Sequence, residues 1–278
     1  MKRLRFSQFS HRDVFTECIK TSVKHKAEYE KSINILDQPE SAYSGLAEKS
    51  SLYLYSENWP EFKKSIMVKL YDDKFVKLGT VARKIYYDEI MKLAQSGICP
   101  VCDHLTADSL DHFLPKSMFP SLAVVPLNLY PCCTTCNEEK DTYFARAEDE
   151  QIFNPYFDTL EDIEWLAAEL LPGSELVVKY FIKPGFDAVM TKRLEKHLKV
   201  YGLKKLYATQ SIVYFNNNLY TYTNSFTVDG RKGLESEVDK ALKSSVHYNL
   251  NSWTKVLLEA LKKSDWFLNG DFINEYRF

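Results

Sequence analysis

Apolar residues recur at helical intervals toward both ends of this chain and give way, in the middle, to short runs broken by prolines. Val14, Phe15, Cys18, Ile19, Val23, Ala27 and Ile33 follow a helical rhythm, and no proline intervenes before Pro39, so the pattern predicts a helix over 11–37. Leu46–Tyr55 is a short apolar segment whose state the pattern leaves open. Asn58 is a candidate N-cap, with Pro60 in the first turn of a helix running to about Lys77. Gly79 interrupts. Val81, Ile85, Ile90 and Leu93 then stripe a helix over Thr80–Gln95, which Gly97 stops.

In the middle, Leu110–Leu114 and Asn128–Pro131 read as two short strands, with Pro115, Pro120 and Pro126 punctuating the loop between them. A helix is expected from about Thr134 through Asn137 and Lys140 to Phe144. Phe153–Phe157 reads as extended. A helix from Thr159 or Asp162 through Trp165 to Leu171 is expected to end at Pro172-Gly173, and Leu176–Ile182, apolar and β-branched, reads as a strand. Thr191–Val200, Leu203–Asn216, Leu234–Leu261 and Asp265–Glu275 carry helical patterns. The fold class is therefore α+β with helices dominant. A helical lobe (1–95), a compact module (96–150) and a mainly helical lobe (151–278) follow one another, with soft boundaries because composition barely shifts across residue 150.

Composition narrows the class. With 278 residues, 45% of them hydrophobic and 27% charged, the chain can bury a substantial core. No apolar run approaches the roughly 18 residues of a membrane span, and the opening residues MKRLRFSQFSHRD lack the apolar centre of a signal peptide, so a cytoplasmic, non-membrane protein is expected. A net charge of -2 excludes a molecule that is basic throughout. Local excesses exist: eight Lys/Arg against four acids in residues 1–31, and seven against two in 183–205. Such runs are ordinarily solvated helix faces, though either can touch phosphates.

Five of the six cysteines fall between Cys99 and Cys136. Cys99/Cys102 and Cys133/Cys136 form two Cys-x-x-Cys pairs, the arrangement of a tetrahedral structural Zn²⁺ site. Cys132 is one residue too early for the second knuckle. Iron in a rubredoxin-like site and unmetallated buried thiols are the alternatives. Between the pairs stand Asp111 and His112. Neighbours on a strand point to opposite sides, so their side chains should not meet. A histidine flanked by apolar residues is more often a satisfied core residue than a catalyst. Asn137, directly after the last cysteine, is either a hard oxygen ligand for Mg²⁺ or an ordinary polar residue of a first helical turn. Asn128 is an ordinary strand-start residue or a hydrogen-bond acceptor that fixes the tautomer of His112. Lys140 shares a helix face with Asn137.

In order, these residues read Cys-x2-Cys, Asp-His, Asn, Cys-x2-Cys-Asn-x2-Lys, and over residues 99–140 the pattern resembles the HNH nucleases, the ββα-metal endonucleases with zinc knuckles. The resemblance implies that His112 is the general base, that Asp111 and Asn137 hold a catalytic divalent ion, and that Asn128 orients His112. Asn137 stands where many relatives have histidine, which favours Mg²⁺ or Mn²⁺ over softer ions. Lys140 and Lys116 are the candidate phosphate contacts. The run DHFLPKSMFPSLAVVPLNLYPCCTTCNEEK further resembles the HNH subunits of bacterial anti-phage systems of the Septu and retron-linked types, which implies an ABC/SMC-type ATPase as partner; the substrate is a nucleic acid, DNA ahead of RNA. The module's own residues 99–146 carry six acids against three bases, so phosphate contacts are expected from Lys192, Arg193, Lys196 and Lys199 or from a partner. The competing reading is a catalytically silent zinc-knuckle docking module.

Overall fold

The computed structural model describes every residue except Val23, 172–175, 246–249 and 277–278. The chain divides into two compact units, Met1–Thr159 with Lys192–Tyr201, and Leu160–Thr191 with Gly202–Phe278. Among the described residues helices dominate, accompanied by two antiparallel two-stranded sheets, so the chain is α+β. No helix among them is long and apolar enough to cross a membrane.

In the first unit the helix expected over 11–37 is two pieces, α1 (His11–Ile19) and α2 (Lys26–Ile33), and a further helix, α3 (Asp37–Ala47), begins where it was expected to end. Ser10 and Asp13 cap each other reciprocally at the start of α1. His25, at φ 68°, leaves right-handed helical space immediately before α2. Val23 lies outside the described residues. Pro39 does not end a helix; it sits in the first turn of α3, where its missing N–H has no partner to lose. The helix expected from Asn58 begins later, as α4 (Lys64–Leu70), because Phe62 turns inward to 2% exposure. Beyond α4 the backbone widens into π-helical turns at Tyr71–Val76 and Arg83–Tyr87, separated by Gly79 at φ 86° and followed by α5 (Asp88–Met91).

The expected ββα sequence of elements is present. Strand β1 (Ser109–His112) pairs antiparallel with β2 (Leu129–Cys132), setting Asp111 opposite Tyr130 and His112 opposite Leu129. Helix α6 (Thr134–Lys140) follows but stops short of Phe144, because Asp141 takes φ 46°. One hydrophobic core joins Phe15, Phe62 and Phe75 of the helical segments to Leu110, Val124 and Leu129 around the strands. The hairpin thus packs on the helices rather than standing apart.

In the second unit the helix expected through Trp165 to Leu171 is a strand, β3 (Leu166–Leu171), paired with β4 (Val177–Ile182). The run Leu-Ala-Ala-Glu-Leu-Leu favours a helix locally, but tertiary bonds override it. Asn251 accepts from the N–H of Trp165 at 2.8 Å and of Leu166 at 3.2 Å, and donates to the Leu160 and Ile163 carbonyls at 3.2 and 2.7 Å. The terminator Pro172-Gly173 lies outside the described residues. Helix α7 (Ala188–Val200) matches expectation; its residues from Lys192 belong to the first unit. Helix α8 (Leu203–Ser245) runs past Asn216 because the buried stripe Tyr207, Ser211, Phe215, Leu219 and Tyr222 continues through the asparagines, and it kinks at Gly230, φ 58°. The helix expected over Leu234–Leu261 is two: α8 ends at Ser245, residues 246–249 lie outside the described residues, and α9 (Trp253–Lys263) starts on a Ser252 cap. Helices α10 (Asp265–Leu268) and α11 (Phe272–Glu275) close the described chain.

Candidate metal centre and active site

Two turns bring the cysteines together. In the first knuckle the Leu105 N–H donates to Cys102 Sγ at 3.4 Å, and the Cys99 N–H donates to the Leu105 carbonyl at 2.8 Å. In the second, Cys133 caps α6, its sulfur accepting from the Cys136 N–H at 3.4 Å. The sulfurs of Cys99, Cys102, Cys133 and Cys136 all lie within 4.8 Å of one another, and all four residues are buried. Tetrahedral zinc with Zn–S bonds of about 2.3 Å requires sulfurs about 3.8 Å apart; Cys102 and Cys133 stand 3.9 Å apart. The donor set therefore fits a zinc ion. It is Cys133, not Cys132, that joins the four. A hydrogen bond from Cys102 is the largest influence holding Cys99 and Cys133 toward thiolate, Cys133 at about 4. The same hydrogen bonds push Cys102 and Cys136 up, so the four sulfurs are a mixed set of thiols and thiolates whose remaining protons a bound cation would displace.

Beside this centre, β1 presents Asp111 and His112. The two side chains do not meet, as the strand geometry requires; the Asp111 carboxylate instead accepts the His112 backbone N–H at 2.7 Å. His112 Nε2 lies 2.9 Å from the Ala123 carbonyl. A carbonyl only accepts, so Nε2 carries the proton and Nδ1 the lone pair. Burial, chiefly, pushes the imidazole down to about 3, with Lys116 and Lys140 acting the same way, so the ring is neutral at pH 7. The Tyr71 ring leans against it with centroids 4.5 Å apart. Tyr71 comes from the first π-helical turn, a common setting for functional side chains.

Asp111 is enclosed. Its Oδ2 accepts from the Tyr130 hydroxyl at 2.6 Å, and the Lys140 ammonium stands 3.2 Å from Oδ2 and 3.4 Å from Oδ1. Tyr130 in turn meets the Tyr201 hydroxyl at 2.9 Å. Burial pushes the carboxyl up, while Lys140 and the Tyr130 bond pull it back. Asn137, on the helix face of Lys140, donates to Ser109 Oγ at 3.3 Å; Ser109 lies two residues before Asp111 on β1. Asp111 and Asn137 thus offer hard oxygen donors of the kind a divalent ion takes, but a protein cation already answers the carboxylate.

Two residues stand elsewhere than expected, and a third is already paired. Asn128 does not bond the His112 ring. It is fully buried, accepts from the Leu114 N–H at 2.8 Å, and donates to the Leu114 and Leu122 carbonyls at 3.0 and 3.3 Å. It staples the loop between the strands, and that loop delivers the Ala123 carbonyl to Nε2. Lys140 does not reach out for a phosphate. Its side chain is 0% exposed, and its ammonium donates to the His112 carbonyl at 2.7 Å as well as to Asp111. Lys116 pairs with Asp72 at 2.9 Å and lies 4.0 Å from the Tyr71 ring centroid, on the ring that leans on His112. In the basic segment, Lys192 pairs with Asp149, Arg193 with Asp158 and Lys196 with Glu150, so these three charges are answered within the first unit. Tyr71 and Tyr201 were not legible as site residues, because neither lies near Asp111-His112 in sequence. The register of the two strands, by contrast, could have put Tyr130 opposite Asp111.

No family model matches the chain, and no solved structure matches it. It is 27% identical over 261 residues to protein ea31 of Escherichia phage lambda, covering 84% of this chain and 86% of that one. It is 44% identical over 50 residues to Septu protein PtuB of Bacillus thuringiensis, covering 18% of this chain and 19% of that one. The link to a Septu protein is therefore partial.

Proposed function

We propose that the chain is an HNH-type endonuclease that hydrolyses phosphodiester bonds, with DNA as substrate and 96–150 as its catalytic module. The observation that carries this reading is the Nε2–Ala123 bond, which leaves a neutral imidazole with its lone pair on Nδ1. Such a group accepts a proton from an attacking water once the negative charge of a bound phosphate raises it from its buried value of about 3 toward the working range. Asp111 orients the strand at His112 through the His112 N–H, and Tyr71 holds the ring from the side. Lys116 is the nearer candidate for a phosphate, by exchanging Asp72 for the substrate. Asp111 and Asn137 would hold a Mg²⁺ or Mn²⁺ ion, which neutralises charge developing on the phosphate when bound. Zinc on the four cysteines would fasten the start of α6 to the knuckle that precedes β1.

The partial similarity to a Septu protein supports a role as the nuclease of an anti-phage defence system, working with an ATPase partner. The internal pairing of the basic segment suits a chain that relies on a partner for DNA contacts. One observation favours the second reading, a zinc-held docking module: Lys140 already neutralises Asp111. Cleavage of plasmid, phage DNA and RNA by purified protein, with Mg²⁺ or Mn²⁺ and any co-purifying partner, separates the two. His112→Ala should lower the rate about 10²–10⁴-fold at unchanged zinc content. No cleavage by the wild-type protein under any of these conditions gives the docking reading its place, and cleavage by His112→Ala at the wild-type rate removes His112 from the chemistry.

A further inference from the structure

We infer that Lys140 is an internal cation that competes with a divalent ion for Asp111, so that metal binding requires the ammonium to leave the carboxylate. The inference rests on the nuclease reading only in taking Asp111 as the metal-facing acid. It begins from an unusual arrangement. A lysine with a side chain 0% exposed ends α6, and its ammonium reaches back to β1, 3.2 and 3.4 Å from the two Asp111 oxygens and 2.7 Å from the His112 carbonyl. Lysines are rarely so buried unless paired, and this one has three oxygens around it. Asp111 has little capacity left. One oxygen accepts the His112 N–H at 2.7 Å and the other the Tyr130 hydroxyl at 2.6 Å.

A dication at the same carboxylate would meet a like charge a few ångströms away, in an environment of low dielectric where repulsion is weakly screened. The two cations therefore exclude each other or bind with mutual cost. Asn137 gives the exchange a direction. It lies one helical turn from Lys140 on α6, and its partner Ser109 lies on the same side of β1 as Asp111. An ion between Asp111 and Asn137 would gain the Asn137 amide oxygen as a second hard ligand, whereas the ammonium spends its bonds on Asp111 and the His112 carbonyl. In the resting chain the ammonium holds Asp111 in place for Tyr130 and the His112 N–H. On metal loading it is released toward the end of α6, where Asp141 turns the chain away.

The test uses the full-length, zinc-loaded protein and Mn²⁺ alone, followed by electron paramagnetic resonance. Lys140→Met keeps the length of the chain and removes the charge; Lys140→Arg keeps the charge; Asp111→Asn removes the ligand. Lys140→Met should bind Mn²⁺ more tightly than wild type by on the order of tenfold or more, and Lys140→Arg should not. Equal or weaker binding by Lys140→Met, including no binding by either protein, overturns the inference. Wild-type binding that survives Asp111→Asn overturns the assignment of Asp111 as ligand, a different failure. A second arm holds if Lys140→Met does not fold. In wild type, acetylation of Lys140 by an amine-reactive ester, read by peptide mass spectrometry, should rise when Mn²⁺ is added. Labelling that stays at the metal-free level counts equally against the exchange.

Discussion

The Tyr130 hydroxyl stands between two buried oxygens, donating to Asp111 at 2.6 Å and meeting Tyr201 at 2.9 Å. A hydrogen bond to a charged group is worth about 1.5–3 kcal/mol, roughly twice a neutral one. Tyr130→Phe should therefore lower unfolding free energy by about 2 kcal/mol, and Tyr201→Phe by about half that, in guanidinium melts followed by fluorescence. Equal effects would mean that Asp111 is not charged. Asn128 is a different kind of residue. Its amide makes three bonds to the loop backbone, and none of those groups has water to turn to. Asn128→Ala should cost about 2–4 kcal/mol in the same melts. It should also loosen the Ala123 carbonyl from His112, so a cleavage assay should fall with it. Full cleavage by a destabilised Asn128→Ala would separate the staple from the chemistry.

At the scale of elements, two short hairpins depend on side chains far away in sequence. The four cysteines join the knuckle ahead of β1 to the start of α6, and a structural zinc there would contribute roughly 10–16 kcal/mol to such a module. Elemental analysis should find one zinc per chain, and Cys102→Ser should lose it together with the order of α6, read as lost amide protection over 134–140. Protection that survives without zinc would assign the stability to the shared apolar core instead. At the β3–β4 hairpin, Asn251 makes four bonds to the chain entering β3. Asn251→Ala strands those backbone groups and should destabilise the second unit by about 2–4 kcal/mol. Amide exchange should rise first at 160–171.

For the whole molecule, pH is the informative variable. His11 and His197 are both fully buried, and burial pushes both imidazoles down, His11 to about 4. A histidine unfolded at about 6.5 that must stay neutral when folded contributes stability that is complete above pH 6.5. That stability drains as pH falls toward 4, to the extent of about 3 kcal/mol for His11. Melting temperature should hold between pH 7 and 8 and fall steadily from pH 6.5 to 4. His11→Gln should flatten part of that slope; a slope unchanged by it would move the effect to other groups.

The cysteine spacing was enough to place a candidate metal site and the strand-strand-helix order beside it. A Cys-x-x-Cys knuckle is built by a local turn, so its spacing is enough to aim two sulfurs, and Cys133 capping its own helix follows from the same few residues. Helical stripes such as that of α7 were legible because burial along one face repeats every three or four positions. What local pattern could not reach was decided by contacts over long separations. Leu166–Leu171 became a strand through Asn251 and β4, against its own helix preference. Local pattern leaves Asn128 open as a strand-start residue or a partner of His112; the loop closing over it spends the side chain's bonds on Leu114 and Leu122. Lys140 looked like a surface cation; only the fold of α6 against β1 shows that its charge is sealed inside, on the carboxylate that the sequence had reserved for a metal.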